Sequence, residues 1–165
     1  MLTLAALRAV AEGQTAVLQA PARVDLRQGV RVDRLRLGIG GGVLEAAGQL
    51  SPALDISATL RGLPAAIAMP GLAGVVQGEA KLAGTPGAPT GTVRLSATGL
   101  QLSEGLPPAS LTATATLGGG AAQIEARAVA GTAQASAKGR IPLGPGALDL
   151  ALAGRAPPML SLIHI

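Results

Sequence analysis

The side chains that most often carry out chemistry in proteins are scarce in this chain of 165 residues. It has one histidine, His164, no cysteine and nine carboxylates. Catalysis by a serine or threonine needs a neighbouring base. The carboxylates are spaced singly among polar residues. None lies in an apolar run, where burial would raise its pKa as an acid catalyst requires. Two carboxylates meeting across strands stays an open alternative. The sequence predicts no catalytic residue and a protein that is not an enzyme.

Metal, nucleotide and nucleic-acid sites are not expected either. The chain has no cysteine, no histidine pair and no acidic cluster with calcium-loop spacing, so we expect no metal and no cofactor. The segment Gly38-Ile39-Gly40-Gly41-Gly42 resembles part of a dinucleotide-binding loop. The last glycine of that motif would fall at position 43, which is Val43, and the residues that follow have the pattern of a strand where the motif needs a helix. The net charge of +4 is dispersed, without a basic stripe or any aromatic residue to stack bases.

The last six residues differ from the rest of the chain. Leu160-Ser161-Leu162-Ile163-His164-Ile165 breaks the preceding alternation and resembles the translation of a transposon-end sequencing adapter. We therefore expect 160–165 to be a non-native tail and 1–159 to be a fragment of one repetitive β domain. A genuine C-terminal tail is the alternative. On the first interpretation His164 takes no part in the function.

Alternation of apolar and polar residues is the dominant pattern. It is clearest where Leu111, Ala113, Ala115 and Leu117 alternate with Thr112, Thr114 and Thr116. A period of two is typical of antiparallel strands with one apolar face. The pattern predicts an all-β protein of about ten short strands, with at most one short helical turn near 63–70. Because the apolar positions hold many alanines and no aromatic residue, a thick globular core is not expected.

Interruptions of the alternation predict bulges and turns. The phase changes near Asp33-Arg34 and again at Gly99, and one extra residue in a β-bulge restores the facing. Glycine and proline clusters between the runs predict turns. These clusters are Gly40-Gly41-Gly42, Ser51-Pro52, Gly84-Thr85-Pro86-Gly87, Pro107-Pro108, Gly118-Gly119-Gly120 and Gly144-Pro145-Gly146.

A weak internal repeat joins two distant parts of the chain. Ala47-Gly48-Gln49-Leu50 followed by Ala53-Leu54-Asp55-Ile56 is similar to Lys138-Gly139-Arg140-Ile141 followed by Ala147-Leu148-Asp149-Leu150. The offset is longer than a usual solenoid repeat, so one unit would contain several strands. Such repeats are typical of elongated proteins, in which the units follow one another along one direction and each packs on its neighbours.

Several phrases of the sequence resemble the TamB family, the inner-membrane component of the translocation and assembly module, within the AsmA-like superfamily. They lie between Gln14 and Pro158, and their order carries the resemblance more than any one of them. The phrases are Leu72 to Pro89, with Gly84-Thr85 before Pro86, then Thr92 to Leu102, Lys138 to Leu143, and Ala147 to Leu150. The family's membrane anchor and C-terminal domain are not matched, which suggests an internal fragment of the β-repeat region.

The resemblance implies an elongated antiparallel sheet folded over into a β-taco or β-solenoid-like groove. It also implies a periplasmic protein, anchored to the inner membrane in its full-length form, that bridges to the outer membrane. Its expected partners are phospholipid acyl chains and, through regions outside this chain, an outer-membrane barrel of the insertase type. The expected roles are phospholipid transport, outer-membrane protein assembly and secretion. The residues expected to line the groove are Leu54, Ile56, Leu60, Leu82, Val93, Leu95, Leu111, Leu117, Ile124, Ile141, Leu148 and Leu150.

Three alternatives to a lipid groove remain at this stage. The sheets could pack closely as a closed sandwich, because alanine and glycine are small enough for two sheets to approach each other. The chain could be a structural β-repeat of a secreted adhesin built as a β-helix, although such proteins usually have shorter repeats and asparagine or threonine ladders, and this chain has no asparagine. It could also belong to another AsmA-like protein that has no lipid role.

Overall fold

A single antiparallel sheet makes up most of the structure, a computed structural model that describes residues 1–11 and 14–156. Residues 160–165, expected to be a non-native tail, lie outside this part. The sheet is not closed, and the prediction of an all-β fold is confirmed. Its thirteen strands are β1 (Leu2–Leu4), β2 (Arg8–Ala11), β3 (Gln14–Leu18), β4 (Ala22–Asp25), β5 (Arg31–Ile39), β6 (Gly42–Gln49), β7 (Leu54–Pro64), β8 (Ala73–Thr85), β9 (Ala88–Gln101), β10 (Ala109–Gly118), β11 (Ala121–Ala130), β12 (Ala133–Pro142) and β13 (Asp149–Arg155).

The strands follow one another as a meander from β5 to β13, each paired with its neighbours in sequence. At the other end, β3 and β4 both pair with β5, while β2 pairs with β3 and β1 with β4. The pairs β1–β2 and β3–β4 are therefore two longer strands, each interrupted once. The continuous path through the sheet has eleven strands, close to the ten expected.

The strand register sorts the side chains of β5–β13 onto two faces. Residues directly opposite in an antiparallel pair lie on the same face. One face, called here the apolar face, contains the row Leu60, Gly78, Leu95, Ala113, Ala126, Ala137 and Leu152. The opposite face, called here the polar face, contains the row Thr59, Glu79, Arg94, Thr114, Glu125 and Lys138. The alternation in the sequence thus becomes one apolar surface that crosses nine strands.

Both predicted bulges are confirmed. The register of β5 shifts between Val32 and Leu35, where β5 has one residue more than β6. In β9 the extra residue falls between Ala97 and Leu100 opposite β10, and between Thr98 and Gln101 opposite β8. A third bulge, not predicted, lies in β7 between Leu60 and Leu63. Each bulge keeps the apolar residues on one face although their spacing in sequence changes parity.

The predicted turns fall between strands. Gly40-Gly41 joins β5 to β6, and Gly119-Gly120, both with positive φ, joins β10 to β11. The loop 50–53 contains a cis Ser51-Pro52 peptide bond. The helical turn expected near 63–70 is a single 3-10 turn, Ala65–Ile67, after Pro64.

The internal repeat corresponds to two hairpins with the same close approach between strands. Gly48 lies opposite Ile56 in β6–β7, and Gly139 lies opposite Leu150 in β12–β13. A Cβ atom at either glycine would overlap the carbonyl oxygen of the aspartate that precedes its opposite residue, Asp55 or Asp149. Glycine is therefore required at both places by the backbone of the next strand.

The sheet has little interior. The buried hydrophobic residues among those described are mostly alanines, namely Ala22, Ala65, Ala97, Ala121 and Ala122, together with Leu18. No large side chain in residues 1–11 and 14–156 is completely buried. The closed sandwich is thus not the architecture of this part of the chain, and the expected lack of a thick core is confirmed.

Candidate functional site

All twelve residues expected to line a groove belong to the part of the sheet between β7 and β13. Eleven lie within strands, on the apolar face, and Leu148 directly precedes β13. The register brings some of them side by side, such as Ile56 with Leu82. The others are distributed over the face and do not form one pocket.

The apolar face extends beyond those twelve residues. Leu35 and Leu37 of β5 lie opposite Ala46 and Leu44 of β6. At the other end, Leu152 of β13 lies opposite Ala137. These positions follow the same alternation, which was the signal that could have identified them as part of the candidate site.

Leucine side chains on the apolar face lie over glycines of the next strand. A Cβ atom at Gly78 would be 2.6 Å from Cδ2 of Leu95, and one at Gly139 would be 2.8 Å from Cδ2 of Leu150. The missing side chain at each glycine leaves room for the leucine. The face therefore combines large residues that project with small residues that leave furrows between them.

Much of the apolar face is exposed to solvent. The exposed fraction is 43% for Leu95, 37% for Leu111 and 41% for Leu150, and it reaches 79% for Leu152 at the edge. Monomeric soluble proteins rarely leave a contiguous apolar surface of this kind uncovered. The face is therefore the main candidate for a binding surface.

The polar face carries a row of ion pairs perpendicular to the strands. The distances are 3.1 Å from Arg36 Nη1 to Glu45 Oε1, 2.8 Å from Arg94 Nη1 to Glu79 Oε1, and 2.6 Å from Lys138 Nζ to Glu125 Oε1. The hydrogen bond that Lys138 donates to Glu125 lowers the pKa of Glu125 and raises the pKa of Lys138. All six side chains are at least a third exposed, so the pairs help to set the register of the strands more than they stabilise the fold.

The clefts of the structure lie mainly along the polar face and are shallow. One, of about 480 Å³, includes Gln77, Glu79, Arg94 and Thr112 in its lining. Another, of about 600 Å³, lies at the β4–β5 end beside Arg23, Asp25, Arg27 and Arg31.

In the cleft at the β4–β5 end, Asp25 is paired with Arg27. Hydrogen bonds from the side chain of Arg27, at 2.6 to 3.2 Å, hold the pKa of Asp25 well below its usual value. Asp25 therefore stays ionised, whereas an acid catalyst needs a raised pKa. Glu45 and Glu79 share a row but are separated by Thr59. Within 1–11 and 14–156 no three metal-ligating side chains come together, and no helix is long and apolar enough to cross a bilayer.

The comparison with known families identifies the chain. The family model described as "TamB, N-terminal domain" matches residues 2–135, most of the sequence. No curated protein matches the chain, and no solved structure matches it. The all-β meander agrees with the resemblance found in the sequence. The chain belongs to the TamB family, whose role is in the translocation and assembly module.

Proposed function

We propose that this chain is a section of a periplasm-spanning bridge whose apolar face carries phospholipid acyl chains towards the outer membrane. Membership of the TamB family suggests a periplasmic, membrane-anchored protein with a structural or transport role. The proposal goes further, because it assigns the transport path to one surface of this chain. The observation that carries it is the exposed apolar face.

The energetic argument starts from the exposed leucines. Burial of apolar surface stabilises by about 25 cal/mol per Å², or about 0.8 kcal/mol for each methylene. Leu95 and Leu111 are both more than a third exposed, so the chain alone lacks part of this stabilisation. An acyl chain offers many methylenes and no polar group, so it can cover these leucines without leaving hydrogen bonds unmade.

The dimensions of the apolar face suit a lipid path. Nine strands, β5 to β13, spaced about 4.8 Å apart, extend about 40 Å across the strands. One lipid leaflet contributes about 15 Å of hydrocarbon, so the face is longer than one acyl chain. Because the sheet is not closed, a chain on this face can move along it while its headgroup stays in water.

A second candidate function is assistance to outer-membrane proteins during their assembly. Strands of outer-membrane barrels alternate apolar and polar residues, so an unassembled strand has an apolar side that the same face could cover. Docking to the outer-membrane barrel partner would use regions outside this chain. A structural repeat without any lipid role, in an adhesin or another AsmA-like protein, is the competing interpretation.

Photo-crosslinking in cells tests the lipid path. A photoreactive amino acid is placed at Leu95, Leu111 or Ile124 of the full-length protein, and lipid adducts are measured by mass spectrometry. Matched controls carry the same amino acid at neighbouring polar-face positions, Ser96 or Thr114. We expect lipid adducts at the first three sites, at least several-fold above the controls.

Three other results are informative. Equal lipid yields on both faces would contradict a path on the apolar face. Adducts with outer-membrane proteins alone at Leu95, Leu111 and Ile124 would favour the assembly role, and an absence of any adduct would favour the structural repeat.

A further inference from the structure

One row of side chains on the polar face contains no carboxylate. It crosses six strands, from β7 to β12, and its positions follow from the strand register. Ser96, for example, lies directly opposite Gln77 on one side and Thr112 on the other. The bulge in β7 leaves Arg61 beside Gln77. The row, called here the donor row, consists of Arg61, Gln77, Ser96, Thr112, Arg127 and Ser136.

Both arginines of the donor row lack an acidic partner among the residues that the structure describes. Arg127 donates a hydrogen bond to the neutral Oε1 of Gln134, at 2.8 Å, and Arg61 takes part in no ion pair. The carboxylates of the neighbouring row, Glu79 and Glu125, are already paired with other cations. Because a guanidinium group has five N–H donors and no acceptor, these two arginines are complementary to anions from outside the sheet.

Two shallow clefts join along the donor row. One, of about 480 Å³, is lined by Arg61 of β7 and extends to Thr112 and Thr114 of β10. The other, of about 360 Å³, includes the same two threonines and extends to Arg127 of β11 and Ser136 of β12. Together they form one furrow perpendicular to the strands. Four strand spacings, about 19 Å, separate the two arginines along it.

An extended peptide matches this furrow in length and in chemistry. It advances about 3.4 Å per residue, so acidic side chains six residues apart are about 20 Å apart and on the same side of the peptide. Between the arginines, the amide of Gln77 and the hydroxyls of Ser96 and Thr112 can donate and accept hydrogen bonds, as peptide groups require. We propose that the donor row binds an extended acidic segment of a partner protein, with one carboxylate on Arg61 and another on Arg127.

A densely charged polymer fits the furrow less well. A nucleic acid strand carries a negative charge about every 3.4 Å, so it would bring phosphates next to Glu79 and Glu125, which line the same furrow. Its bases would also lack stacking partners, since the chain has no aromatic residue. Carboxylates spaced six residues apart meet the two arginines and avoid both acids.

The donor row lies in the interior of the sheet and on the side away from the apolar face. Each of its six strands is paired with a described strand on both sides, so the strands that surround the furrow are all present. A segment bound there leaves the apolar face free. The binding therefore does not depend on the proposed lipid function.

Fluorescence anisotropy of labelled peptides mixed with the full chain tests the spacing. The first peptide has twelve residues of serine, threonine and glycine, with glutamates at its third and ninth positions. The matched peptide has the same composition with glutamates at the third and fifth positions, so it carries the same charge but cannot reach both arginines. We expect the first peptide to bind about fivefold more tightly, and this preference to decrease at high salt.

Substitutions on the polar face test the two arginines. Arg61→Gln and Arg127→Gln are each expected to weaken binding of the first peptide about two- to fivefold and to remove its advantage over the matched peptide. Lys81→Gln and Arg140→Gln are the controls, because they remove the same charge from the polar face outside the donor row. All four side chains are exposed, so circular dichroism is expected to show the same fold in every variant.

Four results would overturn the proposal. One is the absence of peptide binding at millimolar concentration, and another is equal binding of the two peptides. A third is an equal loss in Lys81→Gln and Arg61→Gln, which would indicate attraction to the net charge alone. The fourth is tighter binding of a carboxylated polysaccharide than of the first peptide, which would assign the donor row to a glycan. Lipid cross-linking on the apolar face is measured separately, so the two proposals can fail independently.

Discussion

At the scale of single residues, Gly139 is a position where steric fit alone requires glycine. Its φ is outside the left-handed region, yet a Cβ atom there would overlap the Asp149 carbonyl oxygen and lie 2.8 Å from the Cα of Leu150. Both atoms belong to the backbone of β13 and cannot rotate away. Gly139→Ala is expected to lower the free energy of unfolding by about 1–3 kcal/mol, measured by urea titration followed by circular dichroism.

The matched control for that substitution is Gly118. It also lies in a strand without positive φ, but a Cβ atom there would meet nothing within 4 Å. Gly118→Ala is expected to be neutral or to stabilise by up to about 1 kcal/mol, because alanine restricts the unfolded chain more than glycine does. A similar loss in both variants would mean that the close approach at Gly139 has no energetic role.

At the scale of elements, the bulge in β9 keeps the apolar residues of this strand on the same face as those of its neighbours. Val93, Leu95 and Ala97 have one parity in sequence and Leu100 the other, but the extra residue near Gly99 keeps all four on the apolar face. Deletion of Gly99 removes the extra residue and leaves Leu100 on the same face. The variant is therefore expected to keep its strand content and to melt within about 5 °C of the original chain.

The comparison for this deletion is a residue in a strand without a bulge. Removing Thr114 from β10 would shift part of the strand by one position and move its apolar residues to the polar face. We expect that variant to lose strand signal or to aggregate, as followed by circular dichroism and sedimentation. Equal tolerance of both deletions would argue against strict facing of the strands.

The elements also illustrate what the sequence can and cannot predict. Alternation placed residues such as Leu95 and Ile124 on one face and located the bulges at Asp33-Arg34 and Gly99, because facing is a local property of a strand. The bulge after Leu60 was missed, since it lies next to the turn at Ala65–Ile67, where alternation ends for another reason.

Properties that depend on distant parts of the chain were not predictable. The exposure of Leu152 depends on whether another layer or strand covers it. Alternation indicates which side chains share a face, but it carries no information about the partner of that face. For the same reason, the choice between an open sheet and a closed sandwich required the structure.

At the scale of the whole molecule, the sheet is nearly one-dimensional. The main contacts of each strand are with its neighbours in the sheet, and no second layer of described residues covers either face. In such an arrangement, stability is approximately a sum of terms between adjacent strands. The strands near the middle, β8 and β9, are held on both sides by long partners, while the pairings of β1 with β4 and of β2 with β3 are only three and four residues long.

Hydrogen exchange of the full chain tests this organisation. Backbone amides of β8 and β9, which share the longest pairing among the described strands, are expected to be more protected than those of β1–β4, because the short pairings there can open without disrupting the middle. Equal protection in all strands would instead indicate cooperative unfolding of the whole sheet, in which the edge and the middle cannot open separately.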